Sequence, residues 1–409
     1  MRVVFLNPVG ILGGAERCLL DIFESLIRHR PDIQPVLLTL GDGPLVARSR
    51  SLGVITHVLP MPSTMARLGD SHLKHQSRRE KLRFAALVGL PETLRHSSYL
   101  RKFGSTLSET RPTLIHSNGI KTHLLAALAS PATVPLVWHV RDYLASRPLA
   151  SRILRAVSKR VRSVVTISNS GARDVIRTLG KVPVEVVYDA VDVDHFRPGK
   201  GDGAWLDRVC GVPRSIEPVL RVGIVATYAR WKGHDVFLEA AARLRQLGHR
   251  QVRFYIIGGP VYDTAGSQLT RADLSYQVDA LALAECVGFS GFLSEVDSVY
   301  RALDIVVHAS TEPEPFGRTI VEAMACACPV IVANAGGAAE LFEHGVDALG
   351  VHPADPRALA TAISKLVSDR EGRARMGRLA RRTAIERFST ARLGPRLGSL
   401  YDSLLEESR

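Results

Sequence analysis

Two acidic side chains, Glu314 and Glu322, frame a turn that could hold a ligand rich in hydroxyl groups and negative charge. The chain between them leaves a Pro/Gly loop, Pro315-Phe316-Gly317, and enters apolar residues at helical spacing, Ile320 and Val321, then Met324 and Ala325. An ionised carboxylate only accepts hydrogen bonds, so a pair of them suits hydroxyl groups. A helix that starts at Gly317 to Thr319 turns its unpaired N–H groups and the positive end of its dipole toward the same point, which suits phosphate.

The flanking elements must place this turn at a sheet edge. The β-branched run at 305–307 predicts a strand buried on both faces, Pro329 ends the helix, and 330–332 predicts the next strand. Strand, loop, helix, strand is the order of a parallel sheet, and it sets the helix start at the carboxyl edge, where ligands of α/β folds bind. Two other readings exist for the same residues. Thr319 and Glu322 fit a capping box, and Glu312 with Glu314 fits a solvated acidic turn. Gly336, Gly337 and Glu340 just downstream favour the ligand-holding reading of the whole set.

The setting Glu-Pro-Phe-Gly-x-x-x-x-Glu-Ala-Met-Ala from Glu314, with Pro-Val-Ile and Gly-Gly-x-x-Glu after it, resembles the donor-site signature of family 4 retaining glycosyltransferases. These are nucleotide-sugar enzymes of GT-B architecture. The resemblance implies an α/β fold of two Rossmann-like domains with parallel sheets facing a central cleft. It implies that Glu314 holds sugar hydroxyls, that Phe316 and Gly317, with Arg318 and Thr319 at the helix start, meet the diphosphate, and that Glu322 takes the ribose hydroxyls. Lys232 in Lys-Gly matches a family cation that neutralises the diphosphate; the position of its partner arginine holds Thr227, and Arg230 is the substitute. Gly13, Gly14 and Glu16 match a family loop that reaches the donor diphosphate or the acceptor. His139 lies at the position of a family histidine near the reacting sugar, and Asn118 is a further acceptor-side candidate, as is His116. Gly258 sits in a ligand-facing turn, and Phe289 belongs to the stretch 287–292 that resembles the one contacting the base. The catalytic set is therefore His139, Lys232 and Glu314, with no nucleophile assigned, no cofactor and no metal.

At 409 residues, two domains are the default, and 46% hydrophobic with 23% charged residues marks a folded chain. The strand-like start at 1–6 does not read as a signal peptide, and no apolar run is long enough to span a bilayer, so a cytoplasmic protein is expected. Five scattered cysteines do not suggest a disulfide framework, and Cys326 and Cys328, two apart on a predicted helix, read as core. The net charge of +13 is concentrated: residues 63–111 hold ten Lys/Arg against four acids, and 146–181 nine against one. Such concentration favours an anionic surface, including the inner face of the cell membrane as a peripheral site, or decorates solvated faces. Nucleic acid is not indicated, because the basic stretches lack interleaved aromatics and match no recognition motif.

In order, strands are predicted at 3–6, 36–40, 54–59, 114–119, 136–142, 164–167 and 184–187. The first helix buries Leu19, Leu20, Ile22, Phe23, Leu26 and Ile27; a polar, basic insertion covers 60–76, followed by amphipathic helices to 110. Asp192-Val-Asp194 spells a metal-binding triplet of another fold but reads better as a turn. The domains expected are 1–198 for the acceptor, a linker at 199–218, 219–388 for the nucleotide-sugar donor, and a last helix at 389–409 packing back on the first domain. The expected reaction moves a sugar, with retention and without metal, from a nucleoside diphosphate sugar to a hydroxyl of a glycan or lipid-linked acceptor, as in cell-envelope polysaccharide or glycolipid synthesis. Alternatives are a GT-B nucleotide-sugar epimerase, which needs no acceptor, and a non-catalytic nucleotide-sugar-binding protein.

Overall fold

A computed structural model of the chain describes residues 1–66, 90–213, 215, 217–260 and 268–407. Most of the predicted basic insertion, and residues 261–267, lie outside them. The chain divides into two units, Met1–Asp189 with Thr390–Arg409, and Ala190–Ser389.

The first unit is built on a parallel sheet of β1 (Arg2–Asn7), β2 (Gln34–Thr39), β3 (Ile55–Val58), β4 (Leu114–Asn118), β5 (Leu136–Val140), β6 (Ser163–Thr166) and β7 (Val184–Val186), in the order β3-β2-β1-β4-β5-β6-β7. The strands β1, β2, β4 and β5 are rich in Val, Leu or Ile and buried over nearly all their length, as a sheet covered on both faces requires, while the edge strands β3 and β7 are only partly buried. The helix Gly14–His29 covers one face through Cys18, Leu19, Ile22, Phe23 and Leu26. Ile27, expected inside, is 42% exposed, because it sits one position past the buried stripe. The last helix, Leu393–Glu406, lies on Gly14–His29: the Gly394 N–H donates to Ser25 Oγ at 2.8 Å, and a Cβ at Gly394 would meet Ser25 O at 2.6 Å. Tyr401 on this helix is fully buried.

The second unit carries β8 (Leu220–Val225), β9 (Val252–Ile257), β10 (Val287–Gly291), β11 (Ile305–His308), β12 (Val330–Ala333) and β13 (Leu349–Val351), in the order β10-β9-β8-β11-β12-β13 and again parallel. Its core includes Val222, Ile224, Phe237, Phe254, Ile256, Val307 and Ile331, each at most 1% exposed. The helix Gly203–Cys210 falls within the stretch read as linker. Asp207 fastens it to this unit, accepting from Arg221 Nε at 3.0 Å and Nη2 at 2.7 Å and from the Tyr255 hydroxyl. Residues 190–198 also join the second unit, through Arg381, whose Nη1 donates to the carbonyls of Val193 and Phe196 at 2.8 Å. Asp192 Oδ1 accepts from the Asp194 and His195 N–H groups, which makes the acidic triplet a turn. Cys326 caps the helix Arg318–Ala325, so the two nearby cysteines sit past its end; both are buried. Among the described residues, no helix is long and apolar enough to cross a membrane.

In each sheet the chain reverses its direction of build-up once, between β1 and β4 and between β8 and β11. The connections leaving the two central strands then run to opposite faces and open a crevice at the carboxyl edge. The fold therefore sets loops 8–13 and 119 at one such point, and loops 226–233 and 309–317 at the other.

Candidate functional site

At the β8/β11 edge, the structure brings Lys232 and Glu314 together across 82 positions of sequence: Lys232 Nζ donates to Glu314 Oε2 at 2.7 Å. The same oxygen accepts from Ser310 Oγ at 3.2 Å and lies 3.3 Å from His308 Nε2. Burial alone would push the Glu314 carboxyl up, but the Lys232 ammonium and the His308 contact outweigh it and hold the group down at about 2. Glu314 is thus a carboxylate with its geometry locked. Its carbonyl accepts from the Gly337 N–H at 2.7 Å, which ties the loop after β11 to the loop after β12.

Backbone shape makes this approach possible. Gly233 adopts φ +73°, and a Cβ there would collide with the Ala309 carbonyl oxygen, so only glycine lets the loop after β8 reach the end of β11. The Thr311 N–H donates to Trp231 O at 2.8 Å and completes that seam. The Lys232 ammonium also sits 3.9 Å over the Trp231 ring, so packing as well as charge fixes its position.

Gly317 is the N-cap of the helix Arg318–Ala325, with φ +101° and no side-chain cap. Thr319 therefore lies inside the helix, too far along to act as the cap residue of a box with Glu322. Glu322 instead accepts from the Tyr300 hydroxyl at 2.9 Å on one oxygen and from Arg318 Nε at 2.8 Å on the other. The phenol is pushed well above its usual range by burial and then by Glu322. Phe316 turns its ring into the core, edge-on to Phe388 at 5.9 Å. The geometry can hold an anion at the start of the helix, with a cation on one side and a carboxylate on each flank.

The remaining candidates are placed as follows. Arg230 is exposed in the same loop as Lys232, and Thr227 is half-buried just after β8. Gly258 follows β9 with φ +134° against the Ala226 carbonyl. Phe289 is buried, and the Arg271 guanidinium stacks on its ring at 4.0 Å. In the first unit, Gly13 is half-buried and Gly14 exposed; Glu16 closes this loop, accepting from the Gly13 N–H at 3.1 Å and from Asn7 Nδ2 at 3.3 Å. Asn118 and His139 are register partners at the ends of β4 and β5. Both are buried, and among the described residues neither Asn118 side-chain polar atom nor His139 Nε2 has a hydrogen-bond partner.

Four side chains escape a reading of the sequence alone. His308 ends β11 and Ser310 follows it, both against Glu314; the signal available was their position at a strand's carboxyl end. His234, the first residue of the helix His234–Gln246, is fully buried with both ring nitrogens unpartnered among the described residues; burial, then the Lys232 charge, pushes it down to about 4. Arg141, two residues past His139, pairs with Asp189 at 2.5 Å.

Two parallel α/β sheets with a site of this kind at a switch point define the GT-B class of Rossmann-like folds. Residues 216–383 match the family model described as glycosyl transferases group 1, and residues 13–190 match that described as glycosyl transferase 4-like domain. The structure of Anabaena HepE in complex with UDP is 26% identical, covers 98% of this chain and 100% of its own, and superposes with a TM-score of 0.80. A second structure of that protein, in complex with UDP-glucose, is 27% identical over 98% and 100% of the two chains, with a TM-score of 0.79. The D-inositol 3-phosphate glycosyltransferase of Corynebacterium jeikeium is 33% identical over 224 residues, 54% of this chain and 52% of that protein. That of Mycolicibacterium smegmatis is 36% identical over 191 residues, 46% and 40% of the two chains. The chain thus spans about half the length of the curated relatives it matches or less.

Proposed function

We propose that the chain is a retaining, metal-independent glycosyltransferase that moves a sugar from a nucleoside diphosphate donor to a hydroxyl of a glycan or lipid-linked acceptor. The observation that carries this reading is the Lys232–Glu314 pair set beside the start of Arg318–Ala325, which the left-handed Gly317 opens. The donor diphosphate sits on the N–H groups at 317–319, neutralised by Lys232 and Arg230. Glu314, ionised and held by Lys232, Ser310 and His308, accepts from the sugar hydroxyls, and Glu322 accepts from the ribose. His139 and Asn118 serve the acceptor and the reacting sugar, with Gly13, Gly14 and Glu16 at the phosphates. UDP and UDP-glucose in the HepE structures support a nucleotide-sugar donor.

In the reaction, the bond from the anomeric carbon to the diphosphate oxygen breaks as the acceptor oxygen bonds to the same face of that carbon. The acceptor proton passes to the departing phosphate oxygen. Fixed donors and a cation at that oxygen stabilise the charge as it develops, which is where preorganised electrostatics contributes most.

The test is a comparison of two variants against UDP and UDP-glucose by calorimetry and by UDP release. Glu322→Gln weakens UDP binding about tenfold, while Glu314→Ala keeps UDP affinity within about threefold and loses turnover; a charge-assisted hydrogen bond contributes roughly 1.5–3 kcal/mol. Equal UDP affinity in wild type and Glu322→Gln removes the ribose assignment, and full turnover in Glu314→Ala removes the sugar assignment.

A further inference from the structure

A line of buried polar groups crosses the interior of the first unit. The Tyr401 hydroxyl lies 2.8 Å from His116 Nδ1, and His116 Nε2 lies 3.0 Å from His139 Nδ1. All three side chains are at most 1% exposed, on an α-helix and two neighbouring strands, β4 and β5. The line ends at His139 Nε2, which has no partner among the described residues.

Each imidazole here is neutral. Burial, and then the Arg141 charge, pushes His116 down to about 3 and His139 well below its usual value. A neutral imidazole has one N–H and one bare nitrogen, so the tautomer of one ring dictates that of the next. Two directions are possible. In one, the Tyr401 O–H donates to His116 Nδ1, His116 Nε2–H donates to His139 Nδ1, and His139 Nε2 carries a proton. In the other, every bond reverses, and the Tyr401 O–H is left buried without an acceptor while His139 Nε2 is also unpartnered. The first direction strands one polar group and the second strands two, and an unmet buried donor is costly.

We propose that Tyr401 and His116 are positioning residues that fix His139 in the tautomer with its proton on Nε2, so that His139 acts on its ligand as a hydrogen-bond donor and not as a base. This rests on the reading above only in giving His139 a ligand. The ligand atom it takes is an oxygen with a lone pair, such as a phosphate or sugar oxygen. Tyr401 enters from the end of the chain, 262 positions beyond His139, so the last helix sets the chemistry of a strand it does not neighbour in sequence.

Histidine side-chain nitrogen NMR on the uniformly labelled full chain tests this without any ligand. His139 and His116, assigned through His139→Gln and His116→Gln, are each expected to show a protonated Nε2 and a bare, pyridine-type Nδ1. Tyr401→Phe, which keeps the ring and its packing, is expected to shift both histidines toward a mixture of tautomers. His123, bonded to Ser117 Oγ at 2.7 Å instead, stays unchanged and reports that the fold is intact. A wild-type His139 protonated on Nδ1, or tautomers unmoved in Tyr401→Phe, overturns the proposal. With UDP-glucose as probe, its slow hydrolysis in Tyr401→Phe is expected to fall in kcat several-fold at unchanged KM; a change in KM alone contradicts a donor that acts on the reacting atoms. Absence of any UDP-glucose binding would remove UDP-glucose as the donor and leave the NMR outcome to decide the tautomer.

Discussion

Glu314 illustrates how one side chain can be ready for a ligand and also stabilise the fold. A buried carboxylate is costly unless paired, and here an ammonium, a hydroxyl and an imidazole converge on one of its oxygens. Its folded pKa lies near 2, below the ordinary 4.5, so the folded state binds this proton less readily than the unfolded chain. The resulting stability is fully present above pH 4.5 and is lost as pH falls toward 2, on the order of 3 kcal/mol in all. Urea unfolding of wild type and Glu314→Gln across pH 3 to 7 is expected to show the wild-type advantage shrinking below pH 4.5. Parallel curves for the two proteins would show that Glu314 is not depressed.

At the scale of elements, the site depends on two loops that glycine alone can shape. Gly233→Ala puts a Cβ into the Ala309 carbonyl and asks alanine to hold φ +73°. The variant is expected to lose more than about 1 kcal/mol in chemical unfolding and to loosen Lys232 from Glu314. An unchanged midpoint would mean the loop relaxes freely. Much of this layout was legible beforehand. Runs such as Val330-Ile-Val, Gly/Pro punctuation and the Pro329 stop predict the second unit's strands and its loop–helix start, because local periodicity and backbone restriction determine them. What was not legible is which strand lies beside which. Lys232 meets Glu314, and Tyr300 meets Glu322, only because β8 and β11 are neighbours and the helix Val296–Ala302 lies close by. The capping-box reading of Thr319 and Glu322 fails for a local reason: it needs the helix to begin at Thr319, and the left-handed Gly317 begins it earlier. His116, an acceptor-side candidate, is joined to Tyr401, a contact no local pattern announces.

For the molecule as a whole, each sheet offers one switch point, and the two carry different chemistry. The second unit's is lined by a cation, two carboxylates and the N-terminal end of the helix Arg318–Ala325, the set that the proposed diphosphate sugar would need. The first unit's is lined by Asn118, His139 and a glycine-rich loop closed by Glu16. That division is what the proposed transfer would need, one surface for an anionic leaving group and one for neutral hydroxyls. The most direct test is a crystal structure of the chain with UDP-glucose bound. The account predicts density for the diphosphate within hydrogen-bonding distance of the N–H groups at 317–319 and of Lys232 Nζ, with the glucose against Glu314. A diphosphate bound elsewhere, or this place left vacant at saturating UDP-glucose, would contradict it.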